Sequence, residues 1–141
     1  MRMTGRRQAG LVAVAVLVTM TGLTGCAPFA CPAIGWSNTL TVQLVGDTSA
    51  VDQVQLCTDA GCAPAADVDP SGPLGWITVE SNDGDSWTFS VGMTSMEQVT
   101  VRTLAADGTV LSDTEATPEW VRVGGSAQCG GPSEATVAVQ A

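Results

Sequence analysis

The chain of 141 residues contains no histidine, no lysine and no tyrosine, and its only aromatic residues are four tryptophans and two phenylalanines. These absences remove the side chains that most often act as general bases, Schiff-base nucleophiles or proton relays in enzymes. Five basic residues, all arginines, stand against 14 acidic ones and give a formal net charge of -9. Because binding to nucleic-acid phosphates needs clustered basic residues, this composition excludes a nucleic-acid partner and disfavours catalysis.

The few basic residues are unevenly distributed along the chain. Arg2, Arg6 and Arg7 lie in the first 25 positions, where there is no acidic residue. From residue 26 onward, Arg102 and Arg122 stand against all 14 acidic residues, which leaves a net charge of -12. The charge therefore divides the chain into a basic start and a strongly acidic remainder.

The basic start continues into an apolar run, LVAVAVLVTM at 11–20, and then into small residues. This order is typical of a secretory signal peptide. The run has ten residues, whereas a membrane-spanning helix needs about 20. We therefore expect residues 1–25 to be a signal peptide that is removed, and not a membrane span.

The signal peptide ends in Leu23-Thr24-Gly25-Cys26, which resembles the lipobox of bacterial lipoproteins. The resemblance implies cleavage before Cys26 and a diacylglyceryl thioether on its sulfur, because two acyl chains are needed for a stable anchor. The composition is similar to that of uncharacterised secreted lipoproteins of high-GC actinobacteria; an acidic haloarchaeal lipoprotein fits the same residues. We expect a chain anchored to the cell membrane on its extracytoplasmic face.

The expected organisation after processing is a short tether over 26–32 and one β-sandwich domain over 33–141. An acidic domain is repelled by an anionic membrane surface. We therefore expect the domain to stand off the bilayer on its tether.

Four cysteines remain beside the lipidated one, and an even number outside the cytoplasm predicts two disulfides. Cys57 and Cys62 flank a turn-like tetrapeptide, TDAG, which favours a local bridge and leaves Cys31 to pair with Cys129. In the chain-entropy model, closing that long loop contributes about 4–5 kcal/mol. A zinc site is disfavoured, because there is no histidine and one cysteine pair alone is close in sequence. Four residues separate Cys57 from Cys62, whereas redox-active pairs typically have the Cys-x-x-Cys spacing, so a redox role is also disfavoured.

Short runs of alternating apolar and polar residues, separated by Gly, Pro, Asn and Asp, predict β-strands throughout the domain. The predicted strands lie near 38–45, 51–57, 75–81, 86–92, 98–104, 109–115, 119–123 and 134–140. This number and spacing are typical of a β-sandwich. We expect an all-β, disulfide-containing, immunoglobulin-like or transthyretin-like sandwich of seven or eight strands; a fibronectin-like arrangement fits the same list.

Two hairpins allow a prediction of strand register. Asp83-Gly84 between two strands is typical of a tight turn, and it predicts pairs that bring Trp76, Trp87, Phe89 and Val91 onto one face: Ser81 with Ser86, Glu80 with Trp87, Thr78 with Phe89 and Trp76 with Val91. The turn at Asp107-Gly108 predicts the pairs Leu104 with Leu111 and Arg102 with Asp113. The buried face of this second hairpin is then expected to hold Val99, Val101, Ala105 and Val110.

The aromatic face of Trp76, Trp87 and Phe89 is interpreted mainly as a core layer, because few other large side chains exist to fill a core. Three tryptophans are nevertheless candidate ligand-facing residues: Trp36, Trp76 and Trp120. The acidic clusters around Asp67, Asp83 and Asp113 lack the spacing of an EF-hand and are interpreted as solvated surface. Met93 and Met96 are expected to fill a loop beneath the sheet. No metal or other cofactor is predicted.

These features together predict a non-catalytic binding or accessory module of the cell envelope that interacts with another protein. A carbohydrate- or small-ligand-binding module that uses exposed tryptophans and carboxylates is the alternative. A small carboxylate-based hydrolase is the least favoured reading, because it requires a concave pocket with two convergent carboxylates.

Overall fold

The computed structural model of the chain describes residues 30–141. The predicted signal peptide, the lipobox residues Leu23, Thr24 and Gly25 and the anchor Cys26 lie outside the described residues. The chain divides into two units, Met1–Cys31 and Pro32–Ala141. Within the described part, no helix is long and apolar enough to cross a membrane.

The second unit is all-β, with nine strands described in two sheets. The larger sheet has the order β4-β5-β1-β9-β8 and the smaller one the order β3-β2-β6-β7. Strand β1 is parallel to β9, and every other neighbouring pair is antiparallel. The bounds are β1 Thr39–Val45, β2 Gln53–Thr58, β3 Gly61–Ala63, β4 Thr78–Asn82, β5 Ser86–Ser90, β6 Val99–Leu104, β7 Val110–Ala116, β8 Val121–Arg122 and β9 Ser133–Gln140.

Alternation along the strands produces the core. Strands β1 and β9 bury every second residue on one face of the large sheet; β2 and β6 supply buried side chains from the small sheet. Because successive side chains of a strand point to opposite faces, these apolar rows meet between the two sheets. The fully buried residues are mostly aliphatic: Leu40, Val42, Val54, Leu56, Val91 and Val101, with Phe89 as the largest.

All eight strands expected from the sequence are present, and the all-β sandwich is confirmed. The sequence analysis missed β3, which has three residues and pairs with the end of β2. A run of three residues is too short to show an alternating pattern. The tetrapeptide between Cys57 and Cys62 was predicted only as a turn, but it also starts this extra strand.

The predicted register of the first hairpin is wrong. Strand β4 pairs Asn82 with Trp87 and Ser81 with Thr88, and a bulge then shifts the pairing. The backbone N–H of Asp83 donates to the carbonyl of Ser86 at 2.9 Å, so the two central residues of the turn are Gly84-Asp85 instead of Asp83-Gly84. Gly84 has a φ of 81°, which fits a turn whose first central position requires a glycine.

This shift separates Trp76 from the face to which it was assigned. Trp87, Phe89 and Val91 are buried as expected. Trp76 instead precedes β4, outside any strand, and is only half-buried, although it packs against the core. The whole of β4 is exposed.

The predicted register of the second hairpin is correct for one residue pair and wrong for the other. Arg102 pairs with Asp113 as predicted, and its guanidinium donates two hydrogen bonds to the carboxylate, at 2.7 and 2.8 Å. A bulge between Thr103 and Leu104 then pairs Leu104 with Val110 instead of Leu111. Since an extra residue reverses the alternation beyond it, Val110 is 46% exposed.

The predicted buried face of this hairpin is therefore only half correct. Val99 and Val101 are buried. Ala105 is half-buried, and Val110 is exposed. The prediction fails on the turn side of the bulge.

Asn38 is a buried polar residue at the start of β1 whose hydrogen-bonding groups are all used. Its backbone donates to the carbonyl of Gly92 and accepts from Val91. Its side chain donates to Ser95 Oγ at 3.2 Å and accepts from the backbone N–H of Ser133 at 2.8 Å. Asn38 thus joins the start of β1 to the end of β5, to the loop before β6 and to the start of β9.

Replacing Asn38 with alanine should lower the free energy of unfolding by about 1–3 kcal/mol, because the N–H of the half-buried Ser133 would lose its acceptor and the Ser95 hydroxyl would lose its donor. The matched control is Asn82→Ala, which removes an exposed amide that accepts from the N–H of Gly84. Denaturant unfolding of the full-length protein in detergent measures both. An equal loss in the two variants would contradict the role assigned to Asn38.

The Arg102–Asp113 pair predicts a pH dependence. The hydrogen bonds from Arg102 hold the pKa of the Asp113 carboxyl below its ordinary value, so the stabilisation is present above the unfolded pKa of about 3.9. It is lost as the pH falls through the lower folded pKa. Because both side chains are partly exposed, at 32% and 42%, Asp113→Asn should cost about 0.2–1 kcal/mol at neutral pH.

Unfolding measured against pH and salt tests that prediction. The difference between the original protein and Asp113→Asn should shrink in acid and in high salt. Asp52→Asn, at an exposed carboxylate outside this pair, is the control. A difference that grows as the pH falls would show that the pair does not act in this way.

Candidate functional site

The described residues form an open groove with a volume of about 590 Å³ at one end of the sandwich. It lies at the end of the small sheet where β2 and β7 finish and β6 begins. The walls come from four segments: the β2–β3 turn, the loop before β4, the loop before β6 and the end of β7. The lining residues are Cys57, Thr58, Asp59, Ala60, Pro73, Trp76, Thr94, Met96, Gln98, Val99, Thr100 and Glu115.

One row across the small sheet supplies part of this lining. The strand register places Cys62, Cys57, Thr100 and Glu115 opposite one another on the four strands β3, β2, β6 and β7. The next row, which contains Leu56 and Val101, is buried in the core. Because adjacent rows face opposite sides of a sheet, the row with Glu115 lies on the outer face.

The disulfide between Cys57 and Cys62 ties β3 to β2 in this row. Beyond it, the carbonyl of Pro64 accepts hydrogen bonds from the side-chain amides of Gln53 and Gln55, at 3.1 and 2.8 Å. These contacts hold the β2–β3 hairpin and the segment after it against the sheet. The wall of the groove that carries Asp59 is therefore built on a cross-linked hairpin.

Trp76 forms the aromatic part of the groove, and its neighbours hold it in place. Leu74 and Ile77 on either side are buried, and a turn joins the Ile77 N–H to the Leu74 carbonyl at 3.0 Å. The indole N–H of Trp76 donates to the carbonyl of Pro73. One part of the ring system packs against the core, while the half-buried side chain also lines the groove.

The groove contains two carboxylates and no basic side chain. Asp59 lies in the β2–β3 turn and Glu115 near the end of β7, and both are exposed. Strands β2 and β7 are separated by β6, so their backbones are about 10 Å apart. The other lining residues are neutral, and their Thr hydroxyls and the Gln98 amide both donate and accept hydrogen bonds.

Of the three tryptophans predicted as ligand-facing, only Trp76 lines the groove. Trp120 packs against the core, and its indole N–H donates to the carbonyl of Met96 at 2.9 Å. Trp36 lies over Gly130, where an added Cβ would come within 3.0 Å of its ring. Trp36 and Trp120 thus support loops of the sandwich.

Sequence reasoning missed Asp59 and Glu115 as site residues. Asp59 was interpreted as part of a turn, and Glu115 as part of an acidic surface cluster with Asp113. Both interpretations are correct locally, but the pairing across three strands brings the two residues to one groove. The missing signal is the pairing of β2 with β6, which sets Cys57 opposite Thr100 and so connects the turn that carries Asp59 to the predicted β6–β7 register.

The other acidic clusters have local structural roles. Asp69 accepts from the backbone and the side chain of Ser71, which lowers the pKa of the Asp69 carboxyl. Asp113 binds Arg102. No group of three or more potential metal-ligating His, Cys, Asp or Glu side chains occurs in residues 30–141.

The two methionines of the loop before β6 differ from the prediction. Met96 is buried and lines the inner side of the groove. Met93 is 62% exposed, so the expectation that both would fill the space beneath the sheet is wrong for Met93. The turn at Gly92 directs the chain outward before it returns at Met96.

The remaining cysteines, Cys31 and Cys129, are also disulfide-bonded. Their predicted pairing with each other stays a prediction.

Comparison with protein-family models, with curated proteins and with solved structures gave no match.

The four tryptophans should differ in their access to a fluorescence quencher. Trp87 is buried, whereas Trp76 is half-buried and lines the groove. Trp87→Phe should therefore raise the mean acrylamide quenching constant of the remaining fluorescence, and Trp76→Phe should lower it. The opposite order would contradict the placement of Trp76.

Proposed function

We propose that the mature chain is a lipid-anchored, extracytoplasmic, non-catalytic module of the cell envelope that binds a partner protein through the groove. The observation that carries this proposal is the groove itself. It is concave, lies at one end of the sandwich, and combines Trp76 with polar side chains from the β2–β3 turn, the loop before β6 and the end of β7. Loops held by a rigid scaffold are where binding residues concentrate.

The extracytoplasmic location is supported by two independent features of the chain. A basic start, an apolar run and the lipobox-like sequence that ends at Cys26 precede the domain. The described residues include disulfide-bonded cysteines, Cys57 with Cys62 and also Cys31 and Cys129. Disulfides persist in oxidising compartments outside the cytoplasm.

A binding role fits the groove better than a catalytic one. Its volume of about 590 Å³ falls within the usual range of ligand sites, about 300–1,000 Å³. The chain lacks the His, Lys and Tyr side chains that most often transfer protons.

Carbohydrate binding is the second candidate, and Trp76 favours it. A flat aromatic ring beside Asp59 and Glu115 is an arrangement that can stack on a sugar and accept its hydroxyl hydrogen bonds. This candidate uses the same groove as the first. The two differ in the ligand, and a binding experiment separates them.

Among the finer fold classes, we propose the transthyretin-like arrangement. An immunoglobulin constant domain places its first two strands in one sheet, whereas β1 and β2 lie in different sheets here. The parallel pairing of β1 with β9 is a second feature that a classification of this fold must account for.

Cys26→Ala should abolish lipidation, because the thioether needs the sulfur. The full-length protein should then lose its diacylglyceryl mass and no longer be processed at the lipobox. Mass spectrometry of the membrane fraction measures both. Cys31→Ala should keep the lipid mass, and an unmodified Cys26 in the original protein would end the anchoring proposal.

A photo-crosslinking residue placed at Gln98, in the groove, should form an adduct with an envelope protein in intact cells. The control position is Ser81, which is exposed on β4 and does not line the groove. Trp76→Ala should reduce the Gln98 adduct. Equal labelling from both positions, or none from Gln98, would refute the groove as the binding site.

A further inference from the structure

The charge of the groove is set by its own two carboxylates. Asp59 and Glu115 line it, and no arginine does. At physiological salt, charges farther apart than about 8 Å are largely screened, so side chains within the groove decide which ligand charge is favoured. A ligand that enters the groove therefore encounters two negatively charged carboxylates.

The basic side chains of the described residues do not neutralise this charge. Arg102 lies one outer-face row away from Glu115, but its guanidinium is bound by both oxygens of Asp113. Arg122 lies on β8, the edge strand of the other sheet. Within residues 30–141, the Arg102–Asp113 contact is the only ion pair. The two groove carboxylates therefore keep their acceptor capacity for a ligand.

The apolar part of the groove suits a long cationic side chain. Trp76, Pro73 and Met96 lie together in the lining. Lysine and arginine pack their aliphatic stems on such surfaces, and their charged ends are attracted to an indole face. A wall of this kind next to carboxylates matches a cation better than an anion, which the carboxylates would repel.

The dimensions favour an extended chain segment over a single small cation. Glu115 lies two strands, about 10 Å, from Cys57 in the same row of the small sheet, and Asp59 follows Cys57 in the β2–β3 turn. An extended peptide advances about 3.3 Å per residue and places alternate side chains on the same side. Two basic residues separated by one position therefore point to the same side, about 6.6 Å apart, and their long side chains can reach both carboxylates.

A second copy of this chain does not meet these requirements. From residue 26 onward it has a net charge of -12. Of its two arginines in that part, Arg102 is already bound by Asp113. Two such surfaces repel each other. The charge of the groove therefore favours an occupant of opposite charge.

We propose that the groove binds an extended basic segment of a partner protein, whose lysine or arginine side chains lie between Asp59, Glu115 and the ring of Trp76. This inference rests on the binding function proposed above for the groove and is independent of the lipid anchor. It names the class of ligand: a peptide with at least two closely spaced cationic side chains.

The test is a titration of the full-length protein, in a neutral detergent, with fluorescently labelled peptides. The probes are Ala-Lys-Ala-Lys-Ala, its counterpart Ala-Glu-Ala-Glu-Ala, free lysine amide as a competitor, and a neutral oligosaccharide of three glucose units as a second competitor. Anisotropy measures the affinity. We expect the lysine peptide to bind, the glutamate peptide not to bind, and neither competitor to displace the lysine peptide at equal concentration.

Matched variants separate the groove from the general acidity of the protein. The double variant Asp59→Asn with Glu115→Gln should weaken lysine-peptide binding about tenfold, since two ion pairs at roughly 0.7 kcal/mol each are lost. The control, Asp52→Asn with Glu80→Gln, makes the same charge change at exposed positions outside the groove. It should weaken binding about twofold or less.

Trp76→Leu should weaken binding further and Trp76→Phe should restore part of it, because the phenyl ring keeps an aromatic face. Far-UV circular dichroism checks that each variant keeps its β structure.

Each other outcome overturns the inference. Equal weakening by both double variants would mean non-specific attraction to an acidic surface. Displacement by free lysine amide at equal concentration would remove the extended segment, and displacement by the oligosaccharide would assign the groove to neutral sugars. If Gln98 crosslinks a partner in cells and the carboxylate variant leaves that adduct unchanged, the cationic ligand is wrong while the binding function stands. No adduct from Gln98 would end both.

Discussion

The hydrogen bonds of Asn38 are the constraint on which the arrangement of this sandwich depends. Asn38 precedes the central strand β1, and its four polar groups reach the end of β5, the loop before β6 and the start of β9. Because a buried amide must have partners for both its N–H and C=O groups, these contacts fix where the last strand starts beside the first. The same contacts hold Ser95 in the loop that supplies Thr94, Met96 and Gln98 to the groove. The hydrogen bonds of Asn38 therefore support both the arrangement of the core strands and the loop that lines the groove.

The sequence was sufficient to predict the strands but not all of their pairings. Alternating apolar residues identified eight strands, and the turn at Asp107-Gly108 correctly placed Arg102 opposite Asp113. The failures lie at Gly84 and at the bulge after Thr103. A glycine fits either central position of a tight turn, and each choice gives a different register. A bulge is a single extra residue, which composition does not reveal. The parallel pair of β1 and β9 joins residues almost a whole domain apart, so local patterns contain no trace of it.

The candidate site could not be predicted from local sequence patterns, because it also depends on how the strands pair. Trp76 was assigned to a buried face because the predicted register extended the hairpin too far; in the structure its segment turns at Leu74 to Ile77. Asp59 and Glu115 meet at the groove through two strand pairings in succession, β2 with β6 and β6 with β7. The turn that carries Asp59 leads into β3, which has three residues and is joined to β2 by a disulfide. Residues that bind are brought together by topology, whereas sequence patterns describe neighbours along one strand.

The charge of the domain bears on both parts of the proposal, the lipid anchor and the basic ligand. A net charge of -12 keeps the domain solvated and repels it from an anionic bilayer, so the proposed lipid anchor would act against this repulsion. At short range the overall charge matters less, because salt screens it. Selectivity must then come from how individual carboxylates are used. Asp113 and Asp69 are engaged by Arg102 and Ser71, whereas Asp59 and Glu115 face an open groove beside an indole. The proposed preference for a basic segment follows from that difference between acidic residues, and not from their number.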